Sequence, residues 1–136
     1  DKIGLHKEID LQPIVFVLQK KGETLRTVMH DLLKNGELET AKTKIGQIFD
    51  LYAGEYQKGI YDRDHGVMHN TGFTGDVPFH LDLGKMTRDD SVKNTQVARN
   101  DLQLIVNKIT IWVHSNYPQY DSEIQQYMND KISRLF

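Results

Sequence analysis

Two long segments with apolar residues at helical spacing constrain the fold of this chain most strongly. In residues 38–58 the apolar stripe includes Ala41, Ile45, Ile48, Phe49 and Tyr52. In residues 94–115 the stripe is formed by Leu102, Ile105, Val106, Ile109, Trp112 and Val113. Spacings of three and four place such side chains on one face of a helix. We therefore predict two long helices, each burying its apolar face in a common core.

Shorter elements surround these two helices. Residues 14–18 form an apolar, β-branched run after Pro13 and predict a buried strand. A short helix is predicted over about residues 24–34, because Asn35-Gly36 is a typical stop. A last helix is predicted after Asp121, which we interpret as its N-cap.

The stretch between the long helices has a different composition. Residues 59–78 contain four glycines and one proline, and predict a loop with a short strand near residues 71–73. Apolar and other residues alternate over 79–84, which predicts a strand, and residues 85–94 predict a polar connection. The predicted fold class is mainly α with a few short β-strands (α+β), as one domain over residues 1–136.

Composition excludes several classes of function. A formal net charge of −2 argues against broad nucleic-acid binding, which needs a basic surface. The absence of cysteine excludes a disulfide framework, a thiol nucleophile and a thiolate metal site. No apolar run approaches the roughly 18 residues that span a membrane, and the sequence shows no signal peptide. These features together lead us to expect a cytoplasmic protein.

Three oxygen-bearing side chains stand out between the long helices. Asn70 lies six positions after Asp64, and Asp82 lies twelve positions after Asn70. Phosphoryl transfer needs one carboxylate near the attacking hydroxyl, and an amide oxygen with a second carboxylate to hold magnesium. Magnesium prefers such hard oxygen ligands. This trio therefore predicts a phosphotransfer site.

Two motifs in this stretch resemble those of a known superfamily. The chain has Asp62-Arg-Asp-His65 before Asn70, and Phe79-His-Leu-Asp-Leu-Gly84. They are similar to the catalytic loop Asp-Arg-His-x-x-Asn and the metal-binding strand Phe-His-Ile-Asp-Phe-Gly of protein-kinase-like enzymes. Within this superfamily the motifs most resemble those of phosphoinositide kinases and small-molecule phosphotransferases. Residues 16–25 are similar to the hinge strand and following helix that open the C-terminal lobe of such enzymes.

The resemblance implies a kinase-like C-terminal lobe with defined roles for its residues. Asp64 would be the catalytic carboxylate, with two competitors for that position: Asp62, and His65, which a strict alignment places there instead. Asn70 and Asp82 would hold magnesium. Gln19 in the hinge-like run and Lys85 after the metal-binding strand would contact ATP. The phosphoryl group would pass to the hydroxyl of an unidentified substrate.

The sequence also departs from the superfamily pattern. The catalytic Asp and the Asn are five positions apart in the superfamily, and six apart here. No glycine-rich phosphate loop and no Val-Ala-x-Lys strand precede the motifs. We therefore expect the chain to be a fragment or C-terminal lobe of a longer protein. Apolar surface left by an absent N-terminal lobe could drive formation of a homo-oligomer.

Two alternatives to a phosphotransferase follow from these residues. The first is a non-catalytic, pseudokinase-like domain that binds a protein partner or acts as a scaffold. The second is a hydrolase whose zinc or manganese ion is held by His65, His69, His80 and Asp82. The alternatives differ in their metal and nucleotide requirements.

Overall fold

The computed structural model of the chain describes residues 22–81 and 83–136, and the following statements concern those residues. Within them the fold is mainly helical, with a few short antiparallel strands. The helices are α1 (Leu25–Lys34), α2 (Leu38–Gln57), α3 (Val67–Asn70), α4 (Thr95–Asn116) and α5 (Asp121–Leu135). The strands are β1 (Glu23–Thr24), β2 (Ile60–Asp62), β3 (Thr71–Thr74), β4 (Val77–His80) and β5 (Met86–Arg88). The predicted strand at 14–18, Gln19 and Asp82 lie outside the described residues.

Both ends of α1 follow from local sequence. The Thr24 hydroxyl accepts a hydrogen bond from the Thr27 N–H at 3.1 Å, which caps the first turn. At the other end Gly36 adopts φ +74°, which a residue with a side chain rarely does. The N–H of Glu37 then reaches the Leu32 carbonyl at 2.9 Å, closing the helix with a glycine cap. The prediction of a helix ending at Asn35-Gly36 is confirmed.

The core lies where α2, α4 and α5 pack together, with α1 against α2. The apolar faces predicted for α2 and α4 are buried in it. Burial of these faces supplies most of the stabilisation of such helices, because in proteins helical stability comes mainly from packing of an apolar face and less from intrinsic helix propensity. The core residues with no exposed surface include Leu25, Met29, Ile45, Ile48, Phe49, Leu102, Ile105, Ile109 and Met128.

Two small antiparallel sheets are built from the stretch between the long helices together with β1, which precedes α1. One has the strand order β1-β3-β4, and its β3–β4 hairpin turns at Gly75, where φ is +60°. The other pairs β2 with β5, so that Ile60 lies opposite Arg88. The short strand predicted near residues 71–73 is confirmed as β3, whereas other parts of the predicted loop over 59–78 and of the predicted connection over 85–94 also form strands. Strands β2 and β5 form by pairing between distant segments, which a local pattern does not report.

Two element boundaries also differ from the sequence prediction. The strand expected over 79–84 is instead Val77–His80, because its partner strand β3 begins only at Thr71. The N–H of Leu81 donates to the carbonyl of Asn70, the last residue of α3, at 2.9 Å. Asp121 is the first residue of α5 rather than its N-cap, because the short 3₁₀ turn Pro118–Tyr120 runs directly into the helix. No helix in the described part of the chain is long and apolar enough to cross a membrane.

Glycine positions give a first prediction about stability. An added Cβ at Gly72 would overlap the Glu23 carbonyl group of the neighbouring strand, with its carbon at only 2.9 Å. Because this is backbone, Gly72→Ala should force β1 away and destabilise the fold by about 1–3 kcal/mol. An added Cβ at Gly54 in α2 meets nothing within 4 Å. Gly54→Ala should therefore stabilise by up to about 1 kcal/mol.

Urea unfolding of the two variants and the parent chain measures this difference. Gly54→Ala is the matched control, since it makes the same chemical change where space is open. A Gly72→Ala variant as stable as the parent would show that β1 does not approach β3 as closely as described.

Candidate functional site

The chain between α2 and α4 builds a compact polar cluster. Strand β2 ends at Asp62, the turn around Gly66 leads into the short helix α3, and the β3–β4 hairpin returns to His80. Helix α2 passes beneath this stretch and contributes Glu55. Residues far apart in sequence thus meet at one place, next to the Asp64–Asn70 loop.

Asp62 is the common anchor of the loop. Its side chain is almost completely buried. Oδ1 accepts a hydrogen bond from the backbone N–H of Asp64 at 2.9 Å. Oδ2 accepts a hydrogen bond from the Asn70 side-chain amide at 3.2 Å. One carboxylate therefore holds both ends of the loop that carries the predicted catalytic and metal-binding residues.

His80 lies between two acidic side chains inside the protein. Its Nδ1 is 2.7 Å from the Glu55 carboxylate, and its Nε2 is 3.3 Å from Asp62 Oδ2. Hydrogen bonding to these two carboxylates and attraction to their charges both favour the protonated ring. Burial alone would lower the pKa of His80, but the neighbouring Asp62 and Glu55 outweigh it and raise the pKa to about 9. His80 is therefore a buried cation at neutral pH.

Asp64 lies at the partly exposed side of the cluster. Its Oδ1 accepts a hydrogen bond from the Gly66 N–H at 3.0 Å, which fixes the carboxylate at the start of the turn. The side chain is intermediate in exposure, whereas that of Asp62 is buried. Of these two acids, Asp64 is the one that a molecule in solution can reach.

His65 is held from the opposite side by α4. Its Nε2 lies 2.6 Å from Asp101 Oδ1, and the other oxygen of Asp101 accepts a hydrogen bond from the Tyr56 hydroxyl at 2.5 Å. Burial and this hydrogen bond raise the pKa of Tyr56 far above its usual value, so the phenol stays protonated and donates. The Tyr56–Asp101–His65 chain ties the loop to both long helices.

The two predicted motif segments are also connected through backbone. The Asn70 carbonyl accepts from Leu81 N–H at 2.9 Å, and the Lys85 carbonyl accepts from Arg63 N–H at 3.0 Å. These bonds lie on either side of position 82 in the sequence. The segments around Asn70 and around the second motif are therefore neighbours in space.

The predicted site residues have different outcomes. Asp64 and His65 lie in the turn before α3, and the buried Asn70 is the last residue of α3. The side chain of Lys85 is exposed at the edge of the same cluster. Gln19 and Asp82 lie outside the described residues, so their proposed roles stay predictions.

The three histidines do not form one group. His65 contacts Asp101, His80 contacts Glu55 and Asp62, and His69 is exposed. Within residues 22–81 and 83–136, no group of three or more His, Asp or Glu side chains is arranged to hold a metal ion. The hydrolase alternative also requires Asp82, which lies outside the described residues, so it stays a prediction.

Sequence reasoning missed three contributors to the cluster. Glu55 and Tyr56 come from the last turn of α2, where Tyr56 is buried, and Asp101 is a buried acid within the otherwise apolar face of α4. An acid at a position of a helix that faces the core is a usable signal, because unpaired buried carboxylates are costly. The local sequence pattern, however, does not indicate which side chains Glu55, Tyr56 and Asp101 contact.

The cluster combines a reachable carboxylate with a fixed amide. The Asp64 carboxylate can accept a proton, and a side-chain amide oxygen such as that of Asn70 is a hard ligand suited to magnesium.

Comparison of the chain with protein-family models, with curated proteins and with solved structures finds no match to any of them.

Proposed function

We propose that the chain is a kinase-like phosphotransferase lobe that transfers a nucleotide phosphoryl group to a hydroxyl substrate with magnesium. The observation that carries this proposal is the double anchoring by Asp62, which holds the Asp64 backbone at 2.9 Å and the Asn70 side chain at 3.2 Å. The superfamily resemblance assigns the catalytic and metal-binding roles to those same two residues. Phosphoryl transfer depends mainly on such positioning.

Asp64 is the proposed proton acceptor. It is partly exposed, whereas Asp62 is buried and engaged with Asn70 and His80. In the proposed step the substrate hydroxyl oxygen forms a bond to the γ-phosphorus, and the bond from that phosphorus to the bridging oxygen breaks. Asp64 accepts the hydroxyl proton, and the nucleoside diphosphate leaves with the bridging oxygen.

Asn70 is the proposed metal ligand in the described part of the chain, with Asp82 as its predicted partner. Magnesium bound there would neutralise charge on the nucleotide phosphates. Asn70 with the carboxylate predicted at Asp82 would suit this ion, because magnesium in nucleotide sites takes only one or two protein carboxylates and completes its shell with phosphate and water. Gln19 and Lys85 remain the proposed nucleotide contacts, and the exposed side chain of Lys85 is compatible with that role.

His65 is the second candidate for the proton acceptor, as the strict alignment suggests. Its Nε2 is already 2.6 Å from Asp101. That contact holds the ring against α4 and favours a structural role for His65, with Asp64 as the acceptor.

A second candidate function is a non-catalytic binding domain of the same fold. The observation in its favour is the spacing of six between Asp64 and Asn70, where the superfamily has five. Such a domain would retain the anchored loop but would bind a protein partner in place of a nucleotide. The two candidates differ in their response to nucleotide and metal.

Thermal unfolding with and without MgATP tests the proposal. Ligand that binds only the folded chain at a hundred times its Kd stabilises by about 2.7 kcal/mol, which raises Tm by several degrees. We expect such a rise with MgATP and its loss when EDTA is added. An unchanged Tm at millimolar MgATP would contradict the phosphotransferase and favour the binding domain.

A further inference from the structure

We propose that Asp62 is the positioning residue of this site, which fixes the orientation of the Asn70 amide and the backbone of Asp64. The inference deepens the proposed function and rests on it for the role of Asn70 as a metal ligand. Asp62 itself would touch neither substrate nor nucleotide.

The burial of Asp62 and Asn70 supports this role. Their exposed fractions are 1% and 3%, so solvent does not replace their mutual hydrogen bond. A buried polar group without a partner pays the full cost of its desolvation, which makes the pairing hard to break. The amide is therefore held, whereas an exposed asparagine would sample several rotamers.

The chemistry of the pair also decides which way the amide faces. An ionised carboxylate only accepts hydrogen bonds, so Asn70 must turn its NH₂ group toward Asp62. The amide oxygen then points to the opposite side of the planar group. Asp62 thus determines where the proposed oxygen ligand is presented.

A second contact makes Asp62 specific to this loop. Its other oxygen accepts the Asp64 N–H, so the proposed proton acceptor and metal ligand share one anchor. His80 contacts Asp62, with its Nε2 3.3 Å from Asp62 Oδ2, and is itself paired with Glu55. An asparagine at position 62 would have one acceptor oxygen and one donor group where the loop requires two acceptors.

Nuclear magnetic resonance of the Asn70 side-chain NH₂ tests the inference without any need for activity. In the parent chain these protons should exchange with solvent far more slowly than those of the exposed Asn100. In Asp62→Asn the protection should be lost and the signals should shift. Asp76→Asn is the matched control, because Asp76 is exposed and pairs with Lys44 at 3.0 Å.

A parallel titration follows magnesium-dependent binding of a fluorescent ADP analogue to the same proteins. Outer-sphere partners of metal ligands typically contribute 10–100-fold to metal affinity. We expect the half-saturating magnesium concentration to rise at least about tenfold in Asp62→Asn and to stay unchanged in Asp76→Asn. A merely structural role would lower Tm without this shift.

The two readouts separate the inference from the function on which it rests. Identical Asn70 signals in the parent and Asp62→Asn would overturn the positioning role. A changed Asn70 signal in chains that bind no magnesium nucleotide would support positioning and contradict the phosphotransferase. If Asp62→Asn does not fold, the exchange measurement on the parent chain tests the inference by itself. Equal exchange rates for the side-chain NH₂ protons of Asn70 and Asn100 would overturn it.

Discussion

Replacing Asp64 with asparagine is expected to lower the rate of phosphoryl transfer by about 10²–10⁴-fold, the usual contribution of a general base. Asparagine cannot accept the hydroxyl proton. Its side-chain oxygen can still accept the hydrogen bond that the Gly66 N–H donates to Asp64 at 3.0 Å. Stability should therefore change by no more than about 0.5 kcal/mol.

Transfer of labelled γ-phosphate from ATP to small hydroxyl compounds or to the chain itself measures this effect. Asp50→Asn is the control, because Asp50 is half exposed and pairs with Lys131 at 2.9 Å on another face. His65→Asn is the informative comparison. A large loss in His65→Asn with normal transfer in Asp64→Asn would assign the proton acceptor to His65.

The stability of the fold should fall by roughly 3 kcal/mol between about pH 6.5 and pH 9 because of His80. Asp62 and Glu55 raise the pKa of this buried histidine from 6.5 to about 9 in the folded chain, against the opposing effect of burial. A group with a raised folded-state pKa contributes its full stabilisation below the unfolded-state pKa. It loses that contribution as pH rises through the folded-state pKa.

The groups that face His80 determine the sign of this effect. Glu55 and Asp62 flank its two ring nitrogens, and the Tyr52 ring packs edge-on at a centroid distance of 5.1 Å. Burial and the nearby acids raise the pKa of Tyr52 far above its usual value, so Tyr52 stays neutral across this pH range. The change in charge is therefore that of the histidine.

Urea unfolding at a series of pH values in EDTA measures the effect. His80→Gln should remove most of the slope between pH 6.5 and 9. His114→Gln should leave it unchanged, because His114 is exposed and pairs with Asp121 on the surface. A slope that persists in His80→Gln would show that another group titrates.

The helical part of the fold could be predicted from the sequence. The apolar stripes of α2 and α4 mark these helices within two residues of their ends, because a period of 3.6 is a local property of the chain. The strands were harder. Strand β5 pairs with β2 across more than twenty residues, and the sequence of Met86–Arg88 alone does not indicate which strand it pairs with.

The candidate site shows the same division. Asp64, His65 and Asn70 are recognisable because they lie in one motif. The role of Asp62 as an anchor depends on Asn70 and His80 converging on it in three dimensions. Asp101 lies in α4, 36 positions further along the chain than its partner His65. Contacts of this kind follow from packing and leave no local periodicity.

Paramagnetic broadening by Mn²⁺ in the presence of ADP tests the central claim most directly. Manganese takes the same oxygen ligands as magnesium and broadens the signals of nearby nuclei. We predict that substoichiometric Mn²⁺ first broadens the signals of Asp64, Asn70 and Leu81, and leaves those of Gly36 and Lys131 sharp. Early broadening at exposed acids elsewhere, with sharp signals throughout the Asp64–Asn70 loop, would contradict a magnesium nucleotide site in this protein.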